Sequence, residues 1–178
     1  MDAGRPLTPK GRIRLLTAGE RALAEEVFGP DLDLARVRVW SCPPLAWTTR
    51  RPFCAGGWLL PGRSLLVYPP AQALADFSRA SLWEQSVFIH ELVHAWQSQQ
   101  GVNLILAKLR AGDIPASYAY DLTPGCSWDG FNIEQQAMVV QHDFLRRRGR
   151  PVPHPEQAYL AVLPFRSKRR EGDINRSI

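Results

Sequence analysis

The stretch FIHELVHAWQSQQG, residues 88–101, contains two histidines and a glutamate on which the interpretation of the whole chain depends. His90 and His94 are four residues apart, so an α-helix would place them on one face with their Cβ atoms roughly 5–6 Å apart. Two imidazoles in that arrangement can bind one zinc ion at a Zn–N distance of about 2.0–2.1 Å. Glu91 points about 100° away around the helix, where its carboxylate can take a proton from a zinc-bound water. The HExxH pattern therefore predicts a zinc-dependent hydrolase.

The alternative is a structural helix that carries two histidines by coincidence. Between Leu82 and Trp96 this helix has almost no polar face, which predicts burial on most sides. Ser81 and Glu84 form a capping box at its start, and Gly101 stands where a helix commonly ends. Two histidines and a glutamate buried on such a helix would be costly without partners, and a metal ion offsets that cost. We therefore favour the zinc site.

A catalytic zinc needs a third protein ligand and an open fourth position. The metzincin continuation H-x-x-G-x-x-H is absent, because Gln97 and Gln100 occupy the glycine and histidine positions. Glu134 is a better candidate than His154, which lies in a proline-rich turn. It follows His94 by forty residues and opens a predicted helix, where a carboxylate gains from the helix dipole. An ordinary acidic residue at a helix start remains the alternative for Glu134.

Peptide hydrolysis also needs a group that stabilises the developing oxyanion. Tyr118 and Tyr120, in a segment predicted to be extended, and His142 are the candidates, and we favour Tyr120. A packing or surface role stays open for each of the three. The predicted strand Ser64–Tyr68, just ahead of the HExxH helix, offers an edge along which an extended peptide can add, or is ordinary sheet.

The remaining patterns predict an α+β fold, mostly helical, with a small sheet that precedes the HExxH helix. Capping signals at Thr17 and Glu20 begin the first helix, and those at Asn132 and Gln135 begin a later one. The predicted elements are a helix ending at 29–30, a strand over 35–40, a hairpin with its turn at 61–62 and its second strand at 64–68, and helices over 82–100, 102–112, 133–148 and 156–162. Residues 41–57 are predicted to be loop because prolines and glycines interrupt them.

Length and composition favour one domain. The chain has 178 residues, enough for a substantial core. We expect a flexible N-terminus over 1–14, a zincin-like domain over 15–163 and a basic disordered tail over 164–178. No apolar run approaches the ~18 residues of a membrane span. The start of the chain lacks the apolar segment of a signal peptide, which predicts a cytoplasmic protein and leaves signal-less secretion open.

Residues 145–178 hold nine Lys/Arg against three Asp/Glu, so they account for the net charge of +5 and residues 1–144 come to about −1. The basic runs there are suited to nucleic acid or an anionic surface, but a solvated helix end and tail is the favoured interpretation. The three cysteines, Cys42, Cys54 and Cys126, lack metal-binding spacing and are expected to be reduced thiols. A bridge between Cys42 and Cys54 is geometrically open.

The chain resembles the Vgr-related family, small bacterial proteins with an HExxH motif that are similar to larger families of metallopeptidases. The resemblance covers residues 15–148 and is carried chiefly by HELVHAWQ and the downstream NIEQQA. It implies a minimal zincin of the gluzincin type, in which His90, His94 and Glu134 bind one zinc ion and Glu91 is the base. It also implies an association with the spike of a type VI secretion system.

The chain departs from the gluzincin pattern at Met138, where those proteins often place an acidic residue that orients a zinc-bound histidine. Support for the ligands is then expected from Gln141 or Asn132.

The sequence thus predicts a zinc metallopeptidase that acts on a peptide or protein, with no membrane partner and no nucleic acid expected. One alternative is a catalytically inactive, metal-stabilised adaptor on a Vgr-type spike. Another is an SprT-like protease acting at DNA, which is disfavoured because such proteins take a third histidine ligand.

Overall fold

The computed structural model describes residues 5–43, 51–57, 60, 62–112 and 114–165. This part of the chain is α+β, as predicted, with a four-stranded sheet and five α-helices. In chain order the elements are β1 Ile13–Leu15, α1 Ala18–Phe28, β2 Val37–Ser41, β3 Phe53–Ala55, β4 Ser64–Tyr68, α2 Leu82–Gln99, α3 Leu104–Ala111, α4 Ile133–Arg146 and α5 Glu156–Val162. The HExxH helix is α2, and the whole sheet precedes it.

The sheet has the strand order β1-β2-β4-β3. β2 and β4 run parallel, whereas β1 and β3 are antiparallel to their neighbours. In β4, Leu66 pairs with Val39 on one side and with Cys54 on the other, so β4 is an inner strand. The prediction that Ser64–Tyr68 offers an edge to a peptide is therefore wrong. Among the described residues, the edge strands of the sheet are β1 and β3, and β3 is the edge strand that pairs with β4.

β3 also corrects the loop predicted over 41–57, whose first residue, Ser41, belongs to β2. Phe53–Ala55 form a strand whose hydrogen bonds come from β4, a partner that local sequence signals do not reveal. Because prolines and glycines flank this three-residue strand, the sequence pattern there predicts a loop. The first strand of the predicted hairpin falls on 58–60, of which 58 and 59 lie outside the described residues. The antiparallel partner of β4 is instead β3.

Local signals located the helices well. Each of the three predicted capping boxes is formed: Thr17 with Glu20, Ser81 with Glu84, and Asn132 with Gln135. Gly101 follows α2 with φ +89°, the left-handed conformation expected just past a helix end. α4 ends two residues before the predicted position, within the usual variation of helix boundaries.

The core lies where α2 packs between the sheet and α4. Phe88, Ile89 and Leu92 of α2 are fully buried, and the ring of Phe88 stacks on Phe77 with centroids 5.0 Å apart. The apolar surface of α2 is thus buried on most sides, as its sequence predicts. Because α2 and α4 pack closely, residues of the HExxH motif come near the start of α4.

The stretches predicted to be flexible on either side of the domain contain ordered residues in the described part of the chain. β1 overlaps the end of the stretch 1–14, for which flexibility was predicted, and it pairs with β2. Phe165 lies in the predicted tail 164–178, yet its ring is buried against Trp96 with centroids 4.8 Å apart. Residues 166–178 lie outside the described residues, and the division into domains stays a prediction.

The cysteines are free thiols, as expected, and the bridge left open between Cys42 and Cys54 is not formed. In the described residues, no helix combines the length and the hydrophobicity needed to cross a membrane.

Candidate metal centre

His90, His94 and Glu134 meet at the contact between α2 and α4. Oε2 of Glu134 lies 3.3 Å from Nε2 of His90 and 3.4 Å from Nε2 of His94. One ligand atom from each of the three residues lies within 4.8 Å of the others, a spacing that suits a shared metal ion. All three side chains are buried. The structure therefore brings together the ligand set predicted from the sequence.

The start of α4 fixes the position of Glu134. Oδ1 of Asn132 accepts hydrogen bonds from the backbone N–H groups of Glu134 and Gln135, at 2.9 and 3.0 Å. The side chain of Gln135 in turn accepts from the backbone N–H of Asn132. Asn132, one of the two residues expected to support the ligands, thus does so through the backbone that carries Glu134.

Both histidines are oriented by glutamine side chains. Nδ1 of His90 lies 3.0 Å from Oε1 of Gln141, and Nδ1 of His94 lies 2.8 Å from Oε1 of Gln97. Because an amide oxygen only accepts, each Nδ1 carries a proton, and Nε2 is the nitrogen available to a metal ion. Gln141 also donates to Oγ of Ser86 over 3.1 Å, which fixes the amide itself. The support expected from Gln141 is confirmed.

Gln97 was not identified from the sequence as a residue that supports His94, because position 97 was tested only for the metzincin glycine. Its distance of three residues from His94 on one helix is a signal that could have found it. Nε2 of Gln97 donates to Oε1 of Gln136 at 2.8 Å and to the carbonyl of Ile133 at 3.1 Å. The orientation of His94 therefore depends on contacts with the first turn of α4.

The charges of the site favour an ionised carboxylate. Burial acts to raise the pKa of Glu134, but the hydrogen bonds of His90 and His94 and the charges of His94 and Lys108 hold that pKa well below its ordinary value. Burial acts to lower the pKa of His94, but its contact with Glu134 outweighs burial and raises that pKa. The site thus holds an anionic oxygen between two imidazoles, a donor set that suits a metal ion.

Glu91 lies beside this set in the cavity wall. Its side chain is buried, and its Oε2 has no hydrogen-bond partner among the described residues. An unpaired buried carboxylate oxygen is costly, which points to a group that interacts with something entering the cavity. Burial, and after it the charge of Glu91, raises the pKa values of the Cys54 thiol and the Tyr68 hydroxyl, so both stay neutral beside it.

The cavity in front of the ligands has a volume of about 700 Å³. Its walls are largely apolar and include Phe53 of the edge strand β3, Trp83 and Val87 of α2, Ile105 of α3 and Met138 of α4. Its polar part includes the ligand set, Glu91, Lys108 and Gln141. The cavity is thus an apolar cleft that leads to the three ligands and runs beside β3, an edge strand among the described residues.

Of the candidates for oxyanion stabilisation, Tyr118 lines this cavity, with its ring centroid 6.5 Å from that of His90. The hydroxyl of Tyr120 lies 2.5 Å from Nδ1 of His142 and 3.0 Å from the hydroxyl of Tyr159. Burial, and after it the Tyr159 hydrogen bond, raises the pKa of Tyr120. The structure does not bring Tyr120 or His142 into the cavity wall, and a catalytic role for Tyr120 stays a prediction.

A difference in backbone conformation separates the two tyrosines. An extended segment was predicted here, but Pro115–Ser117 form a 3₁₀ turn and Tyr118 follows with helical angles, φ −100° and ψ −17°. In an extended chain, residues two apart share a side. The turn breaks that relation, so Tyr118 and Tyr120 have different surroundings. His154, the alternative third ligand, lies apart from the ligand set, 3.7 Å from Oδ1 of Asp121.

The fold and the site define an α+β protein with a buried His–His–Glu group suited to a metal ion. The chain belongs to the family of the effector domain of VgrG2b from Pseudomonas aeruginosa. The solved structure of that domain matches with a TM-score of 0.63 and 32% sequence identity, covering 83% of this chain and 80% of that domain.

The sequence is also 36% identical, over 139 residues, to the type VI secretion system spike protein VgrG2b of Pseudomonas aeruginosa. This match covers 75% of the chain but only 13% of the spike protein, so the chain corresponds to a small part of that relative. No protein-family model matches the sequence. The predicted resemblance to Vgr-related proteins is therefore confirmed as homology to the effector domain of VgrG2b.

Proposed function

We propose that the chain is a zinc-dependent peptidase in which His90, His94 and Glu134 hold the ion and Glu91 is the general base. The observation that carries the proposal is the meeting of these three ligands beside the buried carboxylate of Glu91, whose Oε2 has no hydrogen-bond partner in the part of the chain that the structure describes. Both histidine Nε2 atoms face Glu134, while their Nδ1 atoms are held by amides. Two imidazoles and one carboxylate are a ligand set typical of catalytic zinc.

Zinc, when bound at such a site, polarises a carbonyl group and makes water more acidic. The part of Glu91 is to accept a proton from the attacking water at its carboxylate and to deliver that proton to the departing amine. The hydroxyl of Tyr118, from its place in the cavity wall, is suited to donate to the developing oxyanion. The sequence favoured Tyr120 for that role, and the two assignments make opposite predictions for phenylalanine variants.

The shape of the cavity supports a peptide or protein substrate. β3 lies at the sheet edge and lines the cavity, so an extended peptide can add to it through backbone hydrogen bonds. The apolar walls favour apolar side chains next to the bond that is cut.

A second candidate function is a catalytically inactive adaptor stabilised by its metal ion. The observation that favours it is that the spike protein VgrG2b is a relative of this chain. A Vgr-type spike partner is part of our proposal in either case, as is a cytoplasmic location. The SprT-like alternative is disfavoured, since both remaining histidines, His142 and His154, lie apart from the ligand set.

The deciding experiment is the substitution Glu91→Gln, with the zinc content and the hydrolysis of a denatured-protein or peptide-library substrate measured together. We expect one zinc ion per chain in both proteins and a roughly 10²- to 10⁴-fold loss of hydrolysis in the variant. Glu25→Gln, at an exposed position of α1, is the matched control and is expected to leave both measurements unchanged. Equal hydrolysis by wild type and Glu91→Gln would overturn the proposal. A zinc-loaded wild type without hydrolytic activity would favour the adaptor.

A further inference from the structure

Lys108 extends from the protein surface to the carboxylate of Glu134. Its Nζ lies 3.2 Å from Oε1 of Glu134, and its side chain is 43% exposed whereas that of Glu134 is 1% exposed. The other oxygen of the same carboxylate, Oε2, faces the Nε2 atoms of His90 and His94. The two oxygens of Glu134 are thus divided between a lysine and the histidine pair.

The placement of Lys108 follows from the packing of α3. Leu104, at the start of α3, is buried, and Lys108 stands one turn later on the same face of the helix. Asn103 caps α3 by accepting from the backbone N–H of Leu106. Since α3 packs against α4, this face presents Lys108 to the first turn of α4, where Glu134 lies.

We infer that Lys108 is a positioning residue that restricts Glu134 to binding the metal ion through one oxygen. A carboxylate can offer a metal one oxygen or two. A catalytic zinc with three protein ligands keeps its fourth position for water, and a second oxygen from Glu134 would add a fifth ligand beside that water. The ammonium of Lys108 opposes this because its charge attracts Oε1, an atom that has no hydrogen-bond partner among the described residues. The inference rests on the proposed metal site.

The test replaces zinc by Co²⁺ and records the visible spectrum of wild type, Lys108→Met, Lys108→Gln and Lys108→Arg. Cobalt with four ligands absorbs more strongly in the visible range than cobalt with five. We expect Lys108→Met and Lys108→Gln to bind one cobalt ion with weaker absorption, and Lys108→Arg to keep the wild-type spectrum. Lys10→Met, at an exposed position, is the control and is expected to match wild type.

Kinetics provide a second readout. We expect kcat of the zinc-loaded Lys108→Met variant to fall roughly 10- to 100-fold with little change in KM, and Lys108→Arg to restore most of it. If both uncharged variants keep the wild-type cobalt spectrum, the inference is overturned whatever happens to kcat. If wild type binds no cobalt, the proposed metal site itself is overturned. The two failures are therefore distinguishable.

Discussion

His94 donates its Nδ1 proton to Oε1 of Gln97, one turn further along α2, over a distance of 2.8 Å. Gln97 continues this link to the other helix, because its amide nitrogen donates to Gln136 and to the carbonyl of Ile133 in α4. His90 has an equivalent acceptor in Gln141. Neutral amides thus hold both imidazoles where many zinc proteins use carboxylates. They fix the rings without adding negative charge to the site.

We expect Gln97→Leu to weaken zinc binding roughly 10- to 100-fold, because Nδ1 of His94 would lose its acceptor and the ring its orientation. Gln97→Glu keeps an oxygen at that position and is expected to retain most of the affinity. The measurement is a competition titration against a chelator of known zinc affinity. Gln100→Leu, at an exposed position of the same helix end, is the control. Unchanged affinity in Gln97→Leu would show that the link is not needed for binding.

Zinc is expected to stabilise the folded chain by mass action. At a free zinc concentration of about one hundred times Kd, the free energy of unfolding should rise by about 2.7 kcal/mol. His94→Ala and Glu134→Ala each remove one ligand, so both should lose most of this gain. The measurement is the Tm with zinc and with a chelator, for wild type and both variants. A zinc-dependent rise in Tm that persists in Glu134→Ala would exclude that residue as a ligand.

The sequence predicted those parts of the site that depend on local spacing. The positions of His90 and His94 on one helix face and the capping box that places Glu134 are set by residues a few positions apart. β3 was missed because its hydrogen bonds come from β4, which the chain reaches only later. Lys108 was missed for a similar reason, since its contact with Glu134 depends on how α3 packs against α4.

His142 makes the stability of the fold depend on pH. Burial, and after it the charges of His154 and His90, lowers the pKa of His142. Between this lowered pKa and the ordinary histidine value of about 6.5, the unfolded chain binds more protons than the folded chain, so stability rises with pH. Above about 6.5 this contribution is constant. His94 contributes with the opposite sign, because its pKa is raised.

We therefore expect His142→Gln to reduce the rise in the free energy of unfolding as the pH is raised from about 5 to 7. The measurement is urea unfolding across that range, with a chelator present so that metal binding does not contribute. Comparison with wild type at each pH cancels the contribution of His94. A variant with the wild-type slope would show that His142 titrates alike in the folded and unfolded chains.

Phenylalanine variants of Tyr118 and Tyr120 separate catalysis from packing. Tyr118 lines the cavity beside His90, whereas the hydroxyl of Tyr120 bonds to His142 and to the fully buried Tyr159. We expect Tyr118→Phe to lower kcat by roughly 10²-fold, the scale of one lost oxyanion donor, with little change in Tm. Tyr120→Phe should instead lower the free energy of unfolding by about 1–2 kcal/mol, because its partners would be left unpaired, and it should keep most of kcat.

The measurements are steady-state kinetics and thermal unfolding of both variants. The reverse pattern, in which Tyr120→Phe loses kcat and Tyr118→Phe does not, would favour the assignment made from the sequence and would require the segment around Tyr120 to move when a peptide binds.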